Sequence, residues 1–305
     1  PPKKVSKKKH GCLLPLLLFI VLIGIIAFFA FRFSVKGAFS KIKKYPLDKS
    51  NVTVNDTDTN IKDYQNIALF GVDSQDNKIT DTGSRTDCII IASIHKSNHK
   101  VKLMSIYRDT YVSIDGEYDK INAAYSYGGR ELALRTINRN LDLNITDFAT
   151  VNFKALADAV DVLGGIPLTI TSEKELKNLN DYIGNMNHIN GGNSPKFDKV
   201  GTYTFDGNQA VAYSRIRYME GGDHARANHQ RLVLEGIMNA AKKQPFKLGK
   251  LISTVLPQCK TSLSDNDLTK LTFSMARSSI TDSQAYPFQS EDERYGGIYY
   301  GFPIT

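Results

Sequence analysis

From position 66 onward, hydrophobic residues recur with two different periods. Short apolar runs bounded by turn residues predict strands over 66–71, 87–95 and 101–107, the last two joined by a hairpin connection at 96–100. Tyr111 to Ile114 predicts a further short strand, turning at Asp115-Gly116, and residues 148–153 and 166–170 predict two more. Between them the apolar spacing becomes helical. A short helix is expected over 121–127. Another, over 129–141, has Leu132, Leu134, Ile137 and Leu141 near one stripe, and one over 155–163 stops at Gly164-Gly165. Further helices are expected over 207–217, 225–243, 247–256 and 265–278. Residues 171–203 show no sustained period and are read as a lid or rim. The aromatic, glycine-rich end at 295–302 is read as a tail docked on a sheet edge. Alternation of strands and helices predicts an α/β or α+β sandwich, with helices covering a central sheet.

One apolar run differs from all of these. From Cys12 to Phe31 the chain carries 20 residues without charge, mostly Leu, Ile, Val and Phe. That length matches a hydrocarbon layer of roughly 30 Å at about 1.5 Å per helical residue. A cleaved signal peptide needs a small residue two positions before the cleavage-site alanine. Phe28 precedes Ala30 and Lys36 precedes Ala38, so an uncleaved anchor is expected. The expected layout is a cytoplasmic tail at 1–11, a transmembrane helix at 12–33, a polar stalk at 34–62 and one folded domain at 63–305. Five lysines on the short leading tail place the N-terminus in the cytoplasm and the domain outside the cell.

Charge narrows the function. The chain has 39 Lys/Arg, 31 Asp/Glu and a net charge of +8, but ten of the basic residues lie in positions 1–44, which contain no acid. The remainder therefore holds 29 basic and 31 acidic side chains, nearly neutral, which argues against a nucleic-acid partner. Cys88 and Cys259 are the two cysteines of the outer part; Cys88 sits in an apolar run and reads as a buried strand residue rather than half of a disulfide.

Against that neutral background, one segment concentrates guanidinium. Arg215, Arg217 and Arg226 lie beside Asp223 and Gln230, and the spacing of 223, 226 and 230 puts those three on one helical face. Guanidinium forks match phosphate oxygens two at a time. Strand ends and turns add Asp73, Arg85, Asp87, Arg108, Lys120 and Asn122. Asp73 and Asp87 suit a hard cation shared with phosphate oxygens. Asp109 either pins Arg108 or caps a turn, and His224 and His229 are read as exposed helix histidines. No G-x-x-x-x-G-K-[ST] motif is present, which removes a nucleotide P-loop.

The ordered pieces G-x-D, S-R-T-D, R-D-T, K-I-N-A-A-Y, D-x-x-G-G-I and A-x-A-Y-S-R-x-R, then D-x-x-R-x-x-x-Q, resemble the LytR-CpsA-Psr family across about residues 63–243. The resemblance implies a membrane-anchored extracytoplasmic enzyme of Gram-positive bacteria. It implies an α/β/α sandwich with a central mixed sheet enclosing a hydrophobic lipid pocket. The implied reaction moves a glycopolymer, such as teichoic acid or capsule, from a polyprenyl pyrophosphate carrier onto peptidoglycan. By motif, Asp73 and Asp87 would hold Mg²⁺, with Mn²⁺ as the alternative. Arg85, Arg108, Arg215 and Arg217 would grip the pyrophosphate, with Lys120, Asn122, Arg226 and Gln230 around it. Arg108, Arg215, Arg217 and Asp223 would be catalytic, and Asp223 either takes a proton or orients arginine. Tyr107 stands where the family usually has proline, and Gln75 where it often has arginine. Two other readings stay open: a polyprenyl-pyrophosphate hydrolase, and a non-catalytic regulator that binds the same lipid.

Overall fold

In the computed structural model the described residues are 37, 39, 44–48, 50–52, 55, 59–72, 79–80, 82–217, 219, 222–275, 277–295 and 298–303. The expected membrane helix lies outside them, and among the described residues no helix is long and apolar enough to cross a membrane.

A six-stranded mixed sheet forms the centre, in the order β10-β3-β2-β1-β6-β9. Its strands are β1 (Tyr64–Val72), β2 (Thr86–His95), β3 (Lys100–Ile106), β6 (Asp147–Asn152), β9 (Lys260–Thr261) and β10 (Ser279–Tyr286). The pairs β1–β6 and β3–β10 run parallel and the others antiparallel. The apolar runs in β1 and β2 are nearly continuous because both faces of the sheet are covered. Ala68, Phe70, Ile89 and Ile91 pack toward the helix α1 (Ala123–Leu141). Ile67, Ile90, Ala92 and Ile94 face the opposite side, where α5 (Gly222–Lys243), α6 (Leu248–Val255) and α7 (Asp265–Met275) lie. This is the expected α/β/α layering. The two helical pieces expected before residue 141 are the arms of α1, which kinks where Gly129 adopts φ 63°.

Residues 171–203 are not a loop-like lid. They contain the helix α3 (Glu173–Asn190) and the strand β8 (Gly201–Phe205), which pairs with β7 (Ile166–Ile170). The signal was present: Leu176, Leu179, Ile183 and Met186 are all buried on one helical stripe, and Ser172 caps the first turn through Glu175 N. Polar Asn residues between those anchors obscured it. With α2 (Phe153–Leu163) and α4 (Gly207–Ser214), α3 builds a second apolar layer. Gly207 is needed at the α2–α4 contact, because a Cβ there would stand 2.4 Å from the Ala157 carbonyl oxygen.

The tail is also more ordered than expected. It forms the hairpin β11 (Ser290–Tyr295) and β12 (Ile298–Pro303), and β12 rests on the hairpin of β4 (Tyr111–Ile114) and β5 (Glu117–Lys120) rather than on the central sheet. Cys88 and Cys259 are both free. Cys88 lies on β2 as expected, and burial pushes its thiol up to about 12.

Candidate active site

Three strand ends and three helix ends converge beside one end of the sheet. Asp87 is the second residue of β2, and Arg108 and Asp109 stand just past the end of β3, after Tyr107. Lys120 ends β5, and the buried Asn122 starts α1, its backbone N–H donating to the Arg108 carbonyl at 3.3 Å. Arg215 and Arg217 leave the end of α4, while Asp223, Arg226 and Gln230 occupy the first turns of α5.

Arg108 is the hub. Its Nη1 lies 2.6 Å from Asp87 Oδ1, and its Nε lies 3.1 Å from Asp223 Oδ2 and 3.4 Å from Asp109 Oδ2. Arg217 Nη2 reaches Asp87 Oδ2 at 3.2 Å, Arg226 Nη2 reaches Asp223 Oδ2 at 2.9 Å, and Lys120 Nζ reaches Asp109 Oδ1 at 2.8 Å. Gln230 Nε2 donates to the Asp87 carbonyl at 3.1 Å. Four cations thus share three carboxylates. Arg226 is only 3% exposed, and its Nη1 is buried with no hydrogen-bond partner among the described residues. An unmet guanidinium N–H is costly, so Arg226 keeps one unused donor at the wall of this site.

The proton affinities follow from this crowding. Burial works against charge on Arg108, but Asp223, Asp109 and Asp87 outweigh it and hold the guanidinium above its ordinary range. Burial pushes the Asp223 carboxyl up; Arg226 and Arg108 pull it back, and Asp109, hydrogen-bonded to it, pushes it further up. Asp109 moves the other way: burial raises it, but Lys120 and Arg108 bring it down. The two carboxyls titrate as a pair with Asp223 the more proton-retaining member. Burial lowers the proton affinity of Arg226.

Beside this network an apolar slot of about 400 Å³ opens between the sheet and the helices. Leu69, Ile90, Ala149, Leu156, Ala159 and Ile237 line it, and Asp87, Arg215, Arg217, Arg226 and Gln230 stand among its lining residues. Gly71 keeps this end of the slot compact: a Cβ there would stand 2.8 Å from Cys88 Cβ.

Two expected residues take different positions. Arg215 packs on its own side of the slot: its guanidinium lies 4.5 Å from the Phe153 ring centre and its Nη1 3.3 Å from Asn185 Oδ1, a residue of α3. Arg85 is exposed, near Tyr127, and among the described residues it takes no part in the ion-pair network. Asp73 and Gln75 lie outside the described residues. Asp109 proves to be a full member of the network. His224 is exposed and stacks on Tyr107 at 4.0 Å between ring centres. His229 corrects the expectation of an exposed residue: it is buried, with Nε2 2.9 Å from Glu175 Oε1 and its ring 4.3 Å from that of Tyr213. Its partner lies on α3, the element the sequence pattern did not show, so no local signal revealed the pair.

Residues 29–304 match the LytR_cpsA_psr family. The chain belongs to this family. A relative in Enterococcus faecalis, named polyisoprenyl-teichoic acid--peptidoglycan teichoic acid transferase TagU, is 30% identical over 274 residues, covering 88% of this chain and 82% of its own. The TagU of Bacillus subtilis is 30% identical over 261 residues, covering 83% and 78%. Among solved structures, TagT bound to LI-WTA superposes with a TM-score of 0.66 at 26% identity, covering 85% of this chain and 92% of that one. A LytR-CPS2A-psr family protein, YwtF (TagT), with bound octaprenyl pyrophosphate lipid superposes with a TM-score of 0.62 at 25% identity over the same shares. In this chain Arg215, Arg217 and Arg226 stand among the residues that line the apolar slot.

Proposed function

We propose that this chain transfers a glycopolymer from a polyprenyl pyrophosphate carrier to peptidoglycan, forming a phosphodiester and releasing polyprenyl phosphate. The observation that carries the reading is the unmatched, buried Arg226 N–H beside Arg217 among residues lining an apolar slot. Such a site fits one amphiphile: an isoprenoid tail in the slot and a diphosphate at the guanidinium groups.

The chemistry follows from the charges. A sugar hydroxyl attacks the phosphorus nearer the polymer; the new O–P bond forms as the bridging P–O bond breaks, and its electron pair leaves on the lipid phosphate. Arg217 and Arg226 neutralise charge gathering on the leaving phosphate, which is most of what phosphoryl transfer demands of a protein. The Asp109–Asp223 pair accepts the hydroxyl proton, and the raised proton affinity of Asp223 favours that role. Arg215, packed on Phe153, guards the slot side of the diphosphate.

A divalent cation suits the same mouth. Asp87 presents two carboxylate oxygens, one held only by the looser 3.2 Å contact from Arg217, which a cation arriving with diphosphate would displace. Asp87 and Asp73 would hold Mg²⁺, or Mn²⁺, and the ion would supply further neutralisation of the diphosphate. The proposed setting is a membrane anchor at 12–33, a cytoplasmic N-terminus and a domain outside the cell, where carrier lipid and peptidoglycan meet.

Narrowing the slot tests the lipid half. In Ala159→Phe the added ring overpacks the lining at a cost of about 1–3 kcal/mol, weakening a long-chain polyprenyl diphosphate by roughly ten- to a hundred-fold. Geranyl diphosphate, too short to pass the ring, should bind as before. Equal loss for both chain lengths would remove the slot from the mechanism. Product analysis with and without peptidoglycan fragments tests the transfer half: free phosphate products in both cases would mean hydrolysis.

A further inference from the structure

Resting on the transfer reading above, we propose that the aromatic cluster on the β4–β5 and β12 strands seats the acceptor glycan, presenting its hydroxyl to the reacting phosphorus.

The β4–β5 register sets Tyr111 opposite Lys120 and Ser113 opposite Tyr118, so Tyr111, Tyr118 and Lys120 share one face of the hairpin. Tyr111 stacks on Tyr118 with ring centres 5.3 Å apart and an interplanar angle of 23°. Tyr300 and Phe302 of β12 close on Tyr111 at 5.1 and 4.8 Å. Tyr118 nevertheless stays 63% exposed, so the cluster ends in an open ring. An aromatic face left open beside a reactive centre marks a binding surface. A pyranose suits it, because one face of the sugar presents C–H groups to the ring while its hydroxyls remain at the edge.

The cluster is joined to the charge network. Lys120 Nζ lies 5.4 Å from the Tyr300 ring centre and also bonds Asp109 at 2.8 Å, and Gly301 N–H donates to the Asp109 carbonyl at 2.9 Å. Its side of the network is the decisive point. The slot is lined by Asp87, Arg217 and Arg226, whereas Arg108, Asp109 and Lys120 are not among its lining residues. In-line displacement needs entering and leaving oxygens on opposite sides of phosphorus. With the prenyl phosphate leaving on the slot side, the attacking hydroxyl arrives from the side of Asp109 and the rings.

The test uses the full chain in detergent, with Tyr118→Ala and Tyr118→Phe. The probe is a β-1,4-linked N-acetylated oligosaccharide cut from peptidoglycan, its binding read by calorimetry and its use as acceptor read as KM. Tyr118→Ala should weaken binding and raise acceptor KM about tenfold, while acceptor-independent cleavage of the lipid diphosphate stays at the wild-type rate. Tyr118→Phe should restore both. Oligosaccharide binding that is undetectable in wild type, or equal in wild type and Tyr118→Ala, overturns the proposal, as does a shift confined to donor KM. Calorimetry needs no turnover, so it reads the platform even if the transfer reading fails.

Discussion

Arg108→Ala lowers single-turnover release of polyprenyl phosphate by about 10²–10³-fold, the range seen when one preorganised contact to a developing oxyanion is lost. The size follows from its place. Arg108 is bonded to Asp87, Asp109 and Asp223 at once, so its removal leaves three carboxylates facing an incoming diphosphate with less opposing charge. It also changes the pH response. Arg108 lowers the proton affinity of Asp109 and Asp223, so removing it raises both. The acid limb of the rate profile then moves to higher pH. Arg108→Lys should not restore activity, because a single ammonium cannot reproduce the planar fork that spans Asp87 and Asp223. A variant within about threefold of wild type with an unmoved acid limb would show that Arg108 only braces the fold.

Glu175→Gln costs about 3 kcal/mol of folding stability at neutral pH, by removing one partner of a buried pair. Glu175 is 1% exposed and takes hydrogen bonds from Thr171 N–H and Oγ1, both at 2.6 Å, besides the His229 contact. Burial pushes its carboxyl up, but His229 and Thr171 more than offset this and hold it at about 2. The folded value lies below the ordinary 4.5, so the carboxylate's contribution is complete above pH 4.5 and fades as pH falls toward 2. The gap between wild type and variant in urea unfolding should therefore narrow across that window. A gap that is constant with pH would show that ionisation of Glu175 contributes nothing. The pair also matters to the site, since it ties α3 to α5 one residue from Gln230 and three from Arg226.

The central strands were legible because β1 and β2 are buried on both faces and hence almost wholly apolar. The arginine block was legible because so much guanidinium has no use in a core. Helix α3 was harder: its four anchors are spaced correctly, but the asparagines between them read as loop. The Asp109 role was half visible, since adjacency to Arg108 suggests a partner without saying whether the bond is structural. Where the Arg215 and Arg85 side chains lie was not legible: one packs on Phe153 and the other is exposed.

By itself, the sequence determined which residue types the chemistry uses and the periods that make strands and helices, because both are local properties of the chain. Only the tertiary structure decided which charges meet. Asp87, Arg108 and Asp223 are separated by 21 and 115 positions, and they touch because the start of β2, the end of β3 and the start of α5 meet at one end of the sheet. The same packing decided that His229 is buried, because burial depends on what a distant helix brings to it and not on its neighbours in the chain.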